Sequence, residues 1–235
     1  MRARQRHLKS KSLAATAAYD ARYITGISDG SVVSTWSDLS GNGKDATQST
    51  NSLRPLYKTA IIGGQPTIRF DGTDDQFTHS VVNSETCSII TVINRVTAQT
   101  GYRTIFACGP ANNTTTPSTC MFMSLAANNR WGTYIMSGGA GAERSANTQI
   151  AASTPSILTM IDNSESGGNF YLNALADGTW ANNAIGQNQN NLGGYNPGQS
   201  SNIDVGAFLL APKFENPLRR RVEHSYGYSF KIACS

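Results

Sequence analysis

The chain has 235 residues, of which 14% are charged and 39% hydrophobic, with 22 glycines and a net charge of +4. That length can bury one sizeable core, and all-β sandwiches of this size commonly fold as one domain. No window holds the roughly 20 consecutive apolar residues that a membrane-crossing helix needs, so no membrane insertion is expected. The positive charge is concentrated: Arg2, Arg4, Arg6, Lys9 and Lys11 precede the first acid, and without them the body is near neutral. This distribution argues against a uniformly basic nucleic-acid binder and describes a neutral body with a basic arm, able to touch an acidic surface or simply to be solvated.

After the arm, Ser12 to Tyr23 is Ala-rich and reads as a helix or a lead-in segment. Leu13 to Ala18 is too short and too Thr-interrupted for a secretory core, so export by a cleaved signal is not expected if Met1 is the start. The pattern then changes to short apolar or alternating runs punctuated by Gly, Asn, Pro and Ser, the signature of strands and turns. Strands are predicted near Val32–Trp36, Pro66–Asp71, Gln76–Val82, Cys87–Val96, Arg103–Cys108, Cys120–Leu125, Arg130–Met136, Ser156–Ile161, Asn169–Ala174 and Ile203–Leu210. In Cys87–Val96 both alternating sets are largely apolar, as in a strand covered on both faces, and Ile157–Ile161 reads the same way. Ala111–Ser118, Ser137–Gly141 and Asn182–Gln199 are polar, Gly/Asn-rich and predicted to be surface loops. Asn216-Pro217 opens a short helix over Leu218–His224, its Arg219-Arg220-Arg221 run reading as a solvated face or an anion site; Tyr226, Tyr228 and Phe230 then alternate like a last half-buried strand.

Three segments together carry a resemblance. They are Trp36-Ser37-Asp38-Leu39-Ser40-Gly41-Asn42-Gly43-Lys44-Asp45-Ala46, then Arg54-Pro55-Leu56-Tyr57, then Gly64-Gln65-Pro66-Thr67-Ile68-Arg69-Phe70-Asp71-Gly72-Thr73-Asp74-Asp75. Their order and spacing resemble the opening of concanavalin A-like (laminin G-like) lectin/glucanase domains, and the likeness runs from about Tyr19 to Phe230, with Phe170-Tyr171-Leu172-Asn173 similar to that family's hairpin strand. The resemblance implies an all-β, two-sheet antiparallel jelly-roll sandwich over residues 19–235, with a short C-terminal helix, preceded by a basic arm and lead-in over residues 1–18. The residues have their own logic, since Ser40-Gly41-Asn42-Gly43 supplies positive-φ tolerance for a tight reversal and Phe70-Asp71-Gly72 an Asx-type turn. Two positions depart from the pattern: Asp204 is the only acid of the late strand, and Phe230-Lys231 is the nearest closing aromatic.

Catalytic relatives carry paired carboxylates at alternate positions of one strand, whose period-2 spacing puts both on one face. Glu85, Glu143, Glu165, Glu215 and Glu223 are isolated, and His7, His79 and His224 lack a nucleophile motif, so no enzyme activity is expected. Asp71, Asp74 and Asp75 could ligate calcium or cap backbone amides; the capping reading leaves no metal and no cofactor expected. Four cysteines allow three full pairings, with Cys108–Cys120 the pair that an oxidising compartment favours and free thiols the other reading. For sugar stacking the candidates are Trp131, Tyr134, Trp180 and Tyr195, in or beside Asn/Gly-rich loops, Trp131 reading equally as core. The expected function is a non-catalytic structural or attachment component of a larger assembly. A virion is the expected setting, as a capsid decoration or tail/fibre protein whose arm contacts other structural proteins. The alternative is a surface or secreted glycan-binding, lectin-like module.

Overall fold

The computed structural model describes residues 13–81, 86–108, 119–124, 129–137, 140–163, 167–181, 191–194 and 199–235. The first half of the chain supplies β1 (Ala17–Asp20), β2 (Thr35–Trp36), β3 (Ala46–Thr47), β4 (Leu56–Ile62), β5 (Gln65–Asp71), β6 (Phe77–Thr78), β7 (Thr86–Arg95) and β8 (Arg103–Cys108). The second half supplies β9 (Thr119–Ser124), β10 (Gly132–Ser137), β11 (Ala140–Ser145), β12 (Ser156–Asn163), β13 (Gly168–Leu172), β14 (Leu175–Trp180), β15 (Asn191–Leu192), β16 (Asn202–Ala211) and helix α1 (Asn216–Phe230). One sheet runs β14-β13-β12-β7-β16-β5-β4, with β1 added beside β16; the other runs β11-β10-β9-β8-β15-β6-β3-β2. The molecule is an all-β antiparallel sandwich with one C-terminal helix.

Between the sheets lies a core that includes Tyr19, Trp36, Phe70, Phe77, Phe106, Trp131, Phe170 and Phe208. Phe106 meets Phe208 across the gap with ring centroids 4.6 Å apart, a normal tilted aromatic contact. The first sheet is also covered on its outer face, where Ile90, Val92, Ile157, Ala207 and Leu209 pack with Val222, Phe230 and Ile232 of the C-terminal segment. That second cover explains the continuous apolar run of β7: both of its faces are inside, as the sequence led one to expect.

The helix corrects one expectation. Tyr226, Tyr228 and Phe230 do not form a last strand; they continue α1, because Leu218, Val222, Tyr226 and Phe230 recur every four residues and make one apolar stripe. Pro217 opens the helix, where its missing N–H costs nothing. At the far end the Ile232 amide bonds the Gly227 carbonyl at 2.8 Å, while Lys231 takes the left-handed conformation, φ 54°. Phe230 can lie on the sheet because β16 is bulged at Gly206, where an added Cβ would stand 2.6 Å from the ring.

The segment before Tyr19 is likewise not a helix. Ala17–Asp20 pairs antiparallel with Ala207–Leu210, and Leu13 and Ala15 are buried in the outer cluster, so the folded body takes in residues ahead of 19. The predicted loop Asn182–Gln199 contains β15, inserted between β8 and β6, and within the predicted loop Ser137–Gly141 the backbone of Ser137 pairs with that of Ala140 at the ends of β10 and β11. The Trp36–Ala46 signature acts as a tie: Asp38 accepts from the Ala18 and Ser40 amides at 2.9 Å each, and Gly41 and Gly43 turn the chain at φ 90° and 66°. Asn173 and Ala174, both at positive φ, close the β13–β14 hairpin.

Candidate functional site

Where β1 ends, Asp20 starts a single 3₁₀ turn, Ala21–Tyr23, its carboxylate accepting from the Arg22 amide at 3.0 Å. The same carboxylate takes a two-pronged bond from the Arg22 guanidinium, whose other face lies 4.7 Å from the centroid of Phe230. Held on both sides, Arg22 fixes the turn so that Tyr23 projects outward, 55% exposed. The end of α1 approaches from the opposite direction and presents Tyr228, 70% exposed. Tyr228 stands off the apolar stripe, two residues and about 200° of helix from Tyr226. The third wall is the β4–β5 turn, where Gly63 has φ 58° and an added Cβ would lie 2.0 Å from the Phe230 carbonyl oxygen; only glycine lets the helix end come this close.

These walls enclose an open cleft of about 990 Å³, lined by Arg22, Tyr23, Gln65, Tyr228, Ser229 and Lys231 among others. That volume suits a small organic ligand. Below the cleft, burial pushes the Tyr226 phenol above its ordinary range, the nearby Asp20 charge adding to the rise. The cleft thus combines two presented aromatic rings with amide, hydroxyl and cationic donors, a set able to stack on a sugar ring and bond its hydroxyls.

The residues singled out from sequence fall elsewhere. Trp131 is fully buried, edge-on to Phe170 at 4.9 Å, with its Nε1 donating to Asp177 Oδ2 at 2.8 Å. Trp180 is 7% exposed and tilted against the same Phe170 at 4.6 Å; its ring fills the space over Gly168, where a Cβ would lie 2.1 Å away. Both are core rings and present no face to a ligand. Their sequence neighbours are polar, but Trp131, just ahead of β10, and Trp180, the last residue of β14, both turn their indoles into the core. Tyr134 has its backbone in β10 and its side chain outside the described residues; Tyr195 lies outside them, as do Arg2, Arg4, Arg6, Lys9 and Lys11. The side chains of Cys108 and Cys120 are also outside the description; the backbone register sets Cys108 opposite Thr119 and Cys120 opposite Ala107. Arg22, Tyr23, Gln65, Tyr228 and Lys231 were not picked out from sequence.

The carboxylates are mostly spent on structure. Asp204, fully buried, takes Arg69 Nε at 2.8 Å and Nη2 at 3.0 Å, and Asn94 Nδ2 at 3.1 Å, in a polar row on the outer face of the first sheet. Asp71, Asp74 and Asp75 can bring ligand atoms within 4.8 Å of one another, the one such group among the described residues. Asp71 Oδ1 already serves the Thr73 amide at 2.7 Å, and Asp75 Oδ2 the Asp71 amide at 3.0 Å, the work of a turn.

Two buried titratable groups give stability an unusual pH profile. His79, 7% exposed and stacked on Phe106, is pushed down to about 4 from 6.5 by burial, against the pull of the Ala107 and Asn191 carbonyls. Its stabilisation is complete above the unfolded value of 6.5 and is lost as pH falls through about 4, a swing of about 3 kcal/mol. Asp75 has the opposite sign: burial, then the charges of Asp71 and Asp74, push it up to about 7, so its contribution is complete below 3.8 and lost as pH rises through about 7. The two slopes oppose one another between pH 4 and 6.5. Urea titrations are expected to show a shallow profile for the native chain and a steep acid-side loss for Asp75→Asn; an equally shallow profile in that variant would refute the assignment.

No protein-family model matches the chain, and no curated protein does. Solved structures do. The binding domain of Paraclostridial Mosquitocidal Protein 1 matches with a TM-score of 0.59 at 13% identity, over 84% of this chain and 51% of that one. The botulinum neurotoxin serotype D ligand binding domain in complex with N-acetylneuraminic acid matches at 0.62 and 8%, over 92% and 52%. A Trypanosoma rangeli sialidase in complex with sialic acid matches at 0.54 and 9%, over 93% and 33%. The likeness is one of fold: a β-sandwich shared with carbohydrate-binding proteins. The chain spans about half the length of the two binding domains and a third of the sialidase.

Proposed function

We propose that this domain is a non-catalytic glycan-binding module that holds a saccharide in the cleft between Tyr23 and Tyr228. The observation that carries the reading is the pair of tyrosines, 55% and 70% exposed, at a cleft also lined by the hydrogen-bonding side chains of Arg22, Gln65, Ser229 and Lys231. Large rings left in water beside a concavity are ready stacking platforms, because the area they would otherwise bury at once is withheld for a partner. The fold adds support, being shared with domains crystallised as receptor-binding units and with sialic acid complexes. The absence of catalysis is part of the proposal: Glu223 and Asp204, both fully buried, are each committed to an arginine instead of facing the cleft.

A glycan array followed by calorimetry tests it. Tyr228→Ala and Tyr23→Ala are each expected to weaken binding of the best array ligand about tenfold, a stacking contribution near 1.4 kcal/mol, with the melting temperature unchanged. An array on which the native protein binds no glycan would remove the proposal.

A further inference from the structure

The cleft has a definite charge. Arg22 and Lys231 line it and, among the described residues, no carboxylate does. The charge of Arg22 is answered from behind by Asp20. Lys231 is exposed and stands in the left-handed cap position, φ 54° and ψ 40°, that glycine most often fills. The Lys231 Nζ lies 4.0 Å from where a Cβ at Gly64 would stand, which sets the ammonium group beside the turn that forms the third wall.

A row of exposed side chains continues beyond the cleft. Arg221, His224 and Tyr228 are spaced by three and four residues, hence lie in line on one face of α1, and all three are exposed. Between Arg220 and Lys231 the helix has one acid, Glu223, which is buried against Arg219. The water-facing side of this stretch therefore carries Arg220, Arg221, Lys231 and an aromatic ring, and no acid of the helix between Arg220 and Lys231 faces water.

We infer that the cleft takes an anionic saccharide, bearing carboxylate or sulfate groups, with Lys231 selecting for the charge and the sugar chain running along α1 over His224 and Arg221. This rests on the glycan-binding reading above and narrows it. Donor-only groups such as lysine and arginine reward an acceptor-rich ligand, and exposed charges act through a field that salt screens within about 10 Å at 0.1 M.

Calorimetry with three oligosaccharides of equal length, one with uronic acids, one sulfated and one neutral, tests the inference, with inorganic polyphosphate as the non-sugar anion. One or both acidic sugars are expected to bind at least tenfold more tightly than the neutral one, and several-fold less tightly when salt is raised from 50 to 300 mM. Which of the two wins distinguishes carboxylate from sulfate. Lys231→Gly removes the charge and supplies the residue its backbone conformation favours, so the melting temperature is expected to hold or rise. In that variant the ratio of acidic-sugar to neutral-sugar affinity should fall to near unity. Arg221→Gln is expected to weaken only the longer acidic sugars. Equal affinity for acidic and neutral sugars, or a preference unchanged in Lys231→Gly, would overturn the charge selection while leaving the glycan module standing. Displacement of the acidic sugar by polyphosphate at equal concentration of charge would overturn it as well. Failure of all three sugars to bind would overturn the charge selection, and the glycan reading with it where the array too shows no glycan bound.

Discussion

Arg219→Met is expected to cost about 3–5 kcal/mol of unfolding free energy, one of the two largest effects predicted for a single side chain. Arg219 is 3% exposed and Glu223 not at all; the guanidinium bonds one carboxylate oxygen and lies 3.7 Å over the Tyr171 ring. The second oxygen, Oε1, has no partner among the described residues, so the arginine provides nearly all of the compensation for a carboxylate taken out of water. Removing it strands the charge beneath α1. Arg219→Met combined with Glu223→Leu should recover most of the loss, since a well-packed apolar pair can replace a buried ion pair. Urea unfolding followed by far-ultraviolet dichroism checks both. A single variant within 1 kcal/mol of native would show that the pair does not seat the helix.

Trp131→Ala is expected to cost a similar 3–5 kcal/mol, the usual range for deleting a buried indole. The ring fills the core against Phe170, and its Nε1 shares Asp177 with Thr148, whose Oγ1 donates to Oδ1 at 2.6 Å. Truncation therefore leaves both a void and a buried acid short of one donor. Thermal unfolding measures the loss. At a temperature where the variant remains folded, its affinity for the glycan that the native protein binds should be unchanged, the reverse of what Tyr228→Ala does. A Trp131 variant that keeps its melting temperature but loses the glycan would return the site to the position read from sequence.

That contrast shows where sequence is informative. The strands β7 and β12 were legible because a strand covered on both faces is apolar at consecutive positions and these runs are short and bounded by turn residues. The turns at Gly41–Gly43 and Gly72 were legible because positive φ narrows the choice of residue. Two-residue strands such as β3 and β15 were not, since their existence depends on distant partners and leaves no local periodicity. β4 was missed because it starts in the Arg54-Pro55 signature and is interrupted by Ala60 at φ 56°. Tryptophans beside polar loops suggested a binding surface, but loop composition says nothing about which face of the adjoining strand is the inner one. The cleft was hidden for another reason: Arg22, Gln65 and Tyr228 come from three parts of the chain, joined when β1 pairs with β16 and α1 closes over the sheet. One local signal was available, the four-residue spacing of Leu218, Val222, Tyr226 and Phe230, which leaves Tyr228 facing water.

The position of β16 has a further consequence, for the order in which the molecule can assemble. It lies between β7 on one side and, on the other, β5 up to Val205 and β1 from Ala207. During synthesis each of those three strands thus waits with an open edge until Asn202–Ala211 has left the ribosome, and the apolar outer face waits longer still for α1. The sandwich cannot close while most of it already exists, so its nascent chain is expected to be the form most exposed to edge-to-edge association.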